Sequence, residues 1–127
     1  MISEIVIIDG TTYNVPVISI KRRGEFLDRF AERTADGVLH RDLIGVYYNY
    51  QLQLGSTTDT AEYRSLWHKL TQPQEFHTVT IPDADGAPFT FWAYFSNVGD
   101  ELFKVKNEKN YWRNLTVNFI ARRPART

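Results

Sequence analysis

Cysteine is absent from the 127 residues, which removes thiol catalysis, disulfide frameworks and cysteine-based zinc sites together. A surplus of either charge is absent too, since Lys plus Arg and Asp plus Glu number 15 each. A nucleic-acid-binding chain ordinarily carries a basic excess or stripe, and globally this one has neither. No apolar run approaches the roughly 20 residues of a membrane span, so no membrane partner is expected. The apolar start, Met1-Ile2-Ser3-Glu4-Ile5-Val6-Ile7-Ile8, is short, interrupted and without a basic lead, and no signal peptide is expected there.

Aromatic residues are plentiful, at 14% of the chain with three Trp, seven Tyr and eight Phe. Rings of this kind fit pleated, half-buried faces and dominate contact surfaces. The length suits one domain, which at this size buries about two thirds of its unfolded surface and needs no metal or disulfide to fold. Zero net charge removes a source of repulsion between copies and suits a chain that assembles.

Asp-Gly pairs punctuate the chain at Asp9-Gly10, Asp36-Gly37 and Asp85-Gly86. Each lies between apolar stretches, and Asp-Gly is the pair that a two-residue hairpin turn favours. The expectation is antiparallel pairing: residues 5–8 with 11–15, a break at Pro16, then a strand over 17–21. Residues 46–54 form the clearest strand, with Val46, Tyr48, Tyr50, Leu52 and Leu54 on one face. Asp59 and Glu62 have capping-box spacing, and Tyr63, Leu66, Trp67 and Leu70 give one apolar stripe before Gln72-Pro73, predicting a helix over about 59–71. Further strands are expected at 77–81, at 89–96 and at 111–121. The fold class expected is mainly β (α+β), an antiparallel sandwich or small barrel with one flanking helix. The single domain covers 1–121, with a charged arm or insertion at about 22–42. The basic tail, 122–127, is expected to leave the fold.

Chemistry is sparse. His40, His68 and His77 have no ligand at metal-pair spacing, so satisfied or solvated histidines are expected. Asp83-Ala84-Asp85-Gly86 opens like a calcium loop but lacks the third oxygen residue and the distal Glu. There is no Gly-rich phosphate loop and no Gly-x-Ser-x-Gly elbow. An enzyme reading would need two of Glu75, His77 and Asp100 in one pocket. No catalytic, metal or cofactor-binding residue is assigned, no cofactor is expected, and the chain is not read as an enzyme.

Two features point to contacts. Residues 22–42 carry ten charged side chains of mixed sign around Phe26, Leu27 and Phe30. Residues 25–32 are either a short amphipathic helix over the core or part of an extended arm that turns at Asp36-Gly37 and docks on a neighbouring copy, with Arg33 a further candidate contact; mixed charges there would set register. Trp92 and Tyr94 oppose Phe89, Phe91 and Phe95 along one strand, so they lie under the helix or in an interface. Trp112 and Arg113 complete a candidate subunit-contact set of aromatic anchors beside Arg.

The order of motifs, from Arg33-Thr34-Ala35-Asp36-Gly37 through Tyr50-Gln51-Leu52-Gln53-Leu54-Gly55 and Glu62-Tyr63 to Tyr111-Trp112-Arg113-Asn114-Leu115, resembles small tail proteins of phages and prophages of Gram-positive bacteria. The resemblance spans about residues 5–121. It implies a tail-tube or distal-tail type β-sandwich or barrel assembled into rings, with no catalytic residues. Implied partners are other copies of the chain and neighbouring tail proteins, with nucleic acid met only by proximity in a tail lumen. The implied location is the virion, after assembly in the host cytoplasm. The alternative is a carbohydrate-binding β-sandwich in which Trp92, Tyr94 or Trp112 stacks on sugar rings.

Overall fold

The computed structural model describes residues 6–83 and 86–127. Among these residues seven strands and one helix follow in chain order: β1 (Ile7–Ile8), β2 (Thr11–Thr12), β3 (Val17–Arg33), β4 (Leu39–Leu54), α1 (Thr60–Leu70), β5 (His77–Pro82), β6 (Pro88–Lys106) and β7 (Lys109–Ala121). They form one antiparallel sheet in the order β2-β1-β5-β6-β7-β4-β3. The fold is therefore mainly β with one helix, as the turn pattern predicts.

The sheet is curled. Residues 13–16 carry the chain from β2 at one edge to β3 at the other. That link can reach about 17 Å, whereas a flat sheet would put its two edge strands roughly 29 Å apart. The sheet must coil until its edges approach, which gives an open barrel. The linker faces inward with Tyr13 and Val15 buried, and the Pro16 carbonyl accepts from Gly55 N at 2.8 Å. Ile8, Val17, Leu52, Leu54, Val79, Ile81, Leu115, Val117 and Phe119 fill the interior.

Helix α1 closes this interior with Tyr63, Leu66 and Leu70, while Trp67 is half-buried. Asp59 caps it by accepting from Glu62 N at 3.1 Å. The reciprocal bond of a capping box is not made: Asp59 N donates to Thr57 Oγ1, and Glu62 instead accepts from Asn14 N at 2.9 Å. That exchange ties the helix to the β2–β3 linker.

The turn at Asp9-Gly10, with φ of 51° and 80°, is the two-residue form that the pair favours. At Asp36-Gly37 the chain also turns, within a loop where Gly37 (φ 85°) donates to the Thr34 carbonyl. Of the third predicted turn, Ala84 and Asp85 lie outside the described residues, as does Ile5 of the first strand. Pairing of Pro82 with Pro88 brings β5 and β6 together across it. A further two-residue turn, Asn107-Glu108 with φ of 53° and 63°, carries no glycine and is not predicted from the sequence.

Several boundaries differ from expectation. Residues 25–32 are strand, so the amphipathic-helix alternative is overturned: β4 begins at Leu39 and supplies a partner along the whole length of β3. Strand β6 runs on to Lys106, through Gly99-Asp100-Glu101, because β7 pairs with it throughout. The tail does not leave the fold. Val46 N donates to the Arg126 carbonyl at 2.8 Å, and Ala125 N donates to the Val46 carbonyl at 2.9 Å.

Candidate functional site

Strand register decides what the sheet presents. Strands β4 and β7 pair only over residues 50–54 and 115–119. Because they are antiparallel, residues 39–49 of β4 overhang one end of this pairing and residues 109–114 of β7 overhang the other. At about 3.4 Å per residue these overhangs reach roughly 37 Å and 20 Å before twist. The hairpins β3–β4 and β6–β7 thus point in opposite directions.

Both overhangs expose apolar side chains. On β3–β4 these are Phe26, 60% exposed, with Leu27, Phe30, Val38, Leu39 and Leu43. On β6–β7 they are Leu102, Phe103, Trp112 and Val105, the last 64% exposed. Charges lie between them in pairs: Asp28 with Arg41 at 2.5 Å, Arg29 with Asp42 at 3.9 Å and Glu101 with Arg113 at 2.7 Å. Rings are flanked likewise, Arg41 over Phe26 at 5.1 Å and Arg113 over Phe103 at 5.0 Å.

The expected contact residues fall in three places. Phe26, Leu27, Phe30 and Arg33 lie on the β3–β4 overhang, although Arg33 turns into its own loop and donates to the Gly37 carbonyl at 2.8 Å. Trp92 and Tyr94 lie on the outer face of β6, 51% and 44% exposed, so the placement under the helix is not found. Trp112 and Arg113 belong to the opposite overhang, with Arg113 engaged by Glu101. Leu102, Phe103 and Val105 were missed because Gly99-Asp100-Glu101 reads as a loop. The alternation Phe103-Lys104-Val105-Lys106 was the available signal.

The β6–β7 hairpin does not project straight. Its pairing shifts register three times, between Ser96 and Gly99, Gly99 and Glu101, and Leu102 and Lys104. Asn97 and Asn114 sit at the first two irregularities with φ of 53° and 56°, a region that Asn enters more readily than other side-chain-bearing residues. Bulges bend a strand and re-aim its side chains. Here they bring the hairpin beside α1 and enclose a cleft of about 480 Å³. Thr60, Ala61, Arg64 and Trp67 of α1 face the edge of β7 at Lys109, Asn110, Tyr111 and Trp112 across it. Behind them the buried Tyr63 hydroxyl donates to Asp100 Oδ2 at 2.9 Å. Burial raises the Asp100 pKa, with the Tyr63 bond acting against it. Burial and the adjoining carboxylate together push the Tyr63 phenol far above its ordinary value.

The three residues of the enzyme reading do not meet. Asp100 turns to Tyr63, Glu75 lines a separate depression with Phe76 and Tyr94, and buried His77 turns to Asp9, its Nδ1–H donating to Oδ2 at 2.7 Å. Lys69 lies 3.5 Å from the same Asp9 oxygen, and the His77 ring stacks on Phe95 at 4.7 Å. This group joins the first turn to the helix and the sheet. Among the described residues no three of His, Asp and Glu gather as metal ligands, and no helix is long and apolar enough to cross a membrane.

A scan against protein-family models finds no match, and a search of curated proteins finds none.

Proposed function

We propose that this chain is a non-enzymatic structural subunit of a phage or prophage tail, at the tube, its terminator or the distal tip, acting by symmetric self-assembly. The observation that carries the reading is the pair of hairpins that overhang opposite ends with unpartnered apolar side chains. Contiguous exposed apolar residues rimmed by charge mark interaction surfaces. Two unlike surfaces facing opposite ways fit a head-to-tail contact, which closes into rings or propagates as a stack. Strand β3 adds a 17-residue edge, with charged residues over its outer half of the kind that blunts free edges until a partner covers them. The order of sequence motifs supports the tail assignment. On this reading the partners are further copies and neighbouring tail proteins, and the location is the virion.

The test is mass in solution by light scattering across a concentration series, for the full chain and for a variant with residues 28–44 replaced by an Asn-Gly turn. That replacement keeps Val46, where the tail docks. Multimers in the full chain that are lost in the shortened variant are expected. A strict monomer at every concentration would count against self-assembly.

A further inference from the structure

We infer that the cleft between α1 and the β7 overhang binds a neutral saccharide, its ring seated on Trp67 and Trp112 and its hydroxyls bonded to Asp100. The inference rests on the cleft and not on the assembly proposal, with which it shares Trp112, and it places the site away from Trp92 and Tyr94.

Size sets the first limit. The cleft, at about 480 Å³, lies within the roughly 300–1,000 Å³ typical of small-molecule sites. It does not continue along β7, because from Leu115 onward that edge is taken by Leu54 of β4. A short ligand fits such a space better than a long chain.

The lining sets the second. Trp67, Tyr111 and Trp112 offer flat rings. A sugar ring has C–H groups on its faces and hydroxyls around its rim, so it covers an aromatic face while keeping its polar edge free to bond. One face of Tyr111 is already occupied by Lys104, whose Nζ is 5.1 Å from the ring centroid, which leaves the two Trp residues as the main platform.

Charge sets the third. Arg64 and Lys109 are balanced by Asp100 and Glu108. A phosphate would meet carboxylates, and an organic cation would meet Arg64 and Lys109. A neutral ligand meets no uncompensated charge.

Polar capacity completes the match. Asp100 holds Tyr63 through Oδ2, and no other hydrogen bond to its carboxylate is found among the described residues. A desolvated carboxylate gains most from added donors, and sugar hydroxyls supply them. Residues 109–112 also lie along an edge that has no strand partner on the cleft side among the described residues, so backbone donors and acceptors line that wall. An extended peptide could add to such an edge as an extra strand. The closed end at Leu54 and the small volume favour the sugar.

The experiment is a titration of the full chain with maltotriose, cellotriose and chitotriose, followed by intrinsic tryptophan fluorescence, with light scattering on every sample. At least one sugar is expected to give a saturable change. Ala61→Trp, which fills the cleft from an exposed helix position, and Trp112→Ala should each weaken binding by about tenfold or more. Trp92→Ala should leave affinity unchanged, and Ala61→Trp, which alters neither overhang, should leave mass unchanged, so failure here is separable from failure of assembly. No saturable change with any of the three sugars would overturn the inference. So would binding that survives both cleft variants, or a cleft that takes a strand-forming Thr-Val repeat peptide and no sugar.

Discussion

A Cβ on Gly45 would stand 2.7 Å from the carbonyl oxygen of Arg126 and equally close to the Pro124 side chain. The tail therefore crosses β4 at the one residue there that has no side chain, and its bonds to Val46 hold it in place. Gly45→Ala should displace the tail and cost about 1–3 kcal/mol, the usual range for overpacking. Deleting residues 124–127 should remove most of that cost, so the two changes will be strongly non-additive in a urea-denaturation cycle. Equal destabilisation by Gly45→Ala with and without the tail would show that the contact does not hold.

Asp9 links the first turn to the sheet and the helix. Burial disfavours its charge, but hydrogen bonds from His77 and Thr78 outweigh that, and its pKa lies below the usual 3.8. The sign follows: its contribution is complete above 3.8 and is lost as pH falls through the lower, folded-state value. Asp9→Asn should cost about 1–2 kcal/mol at neutral pH. It should also flatten the acid limb of stability against pH, measured by urea melts at a series of pH values.

Asp100 has the opposite sign. Its pKa is raised above 3.8 by burial, so the folded chain holds that proton more tightly than the unfolded one. Stability then falls as pH rises from 3.8 to the folded value, and the deficit persists at neutral pH. Asp100→Asn keeps an acceptor for Tyr63 and should gain stability at neutral pH, by well under about 1 kcal/mol because solvent screens so exposed a carboxylate, a gain that disappears in acid. In the saccharide titration the same variant should bind more weakly, because Asn accepts hydroxyl donors less strongly than a carboxylate.

Asn97 holds the first bend of the β6–β7 hairpin with φ of 53°. Asn97→Ala should cost about 1 kcal/mol, since alanine pays the left-handed penalty in full, while Asn97→Gly should stay within about 0.5 kcal/mol of the parent. Thermal melts of the pair check this. Equal losses would assign the effect to the side chain and not to the backbone.

Much of the body was legible because local chemistry and tertiary structure agree there. Asp9-Gly10 names its own turn, and the stripe of Tyr63, Leu66 and Leu70 names the buried face of α1. The hairpin extensions were harder to read. Phe26, Leu27 and Phe30 have spacing that suits a helix, and the long partner β4 overrides it with strand pairing. Gly99-Asp100-Glu101 reads as a loop on composition, yet β7 pairs across it by absorbing irregularities at Asn97 and Asn114. Glu108 adopts a positive φ with no glycine to announce a turn. The cleft escaped for a related reason. Trp67 shows only helical periodicity, and what brings it to Trp112 is the accumulated bend of a hairpin, a long-range property with no short pattern in the chain.

If the chain assembles head to tail as proposed, its opposed overhangs have a consequence for growth. A column built by joining unlike hairpins has direction, with the long β3–β4 hairpins bare at one terminus and the short β6–β7 hairpins bare at the other. Addition at either terminus buries the same pair of surfaces, so the two ends share one equilibrium constant while their rates of addition can differ. A cap that recognises only one hairpin would arrest one end and leave the other growing, so length and orientation would be set by whichever protein occupies the first terminus.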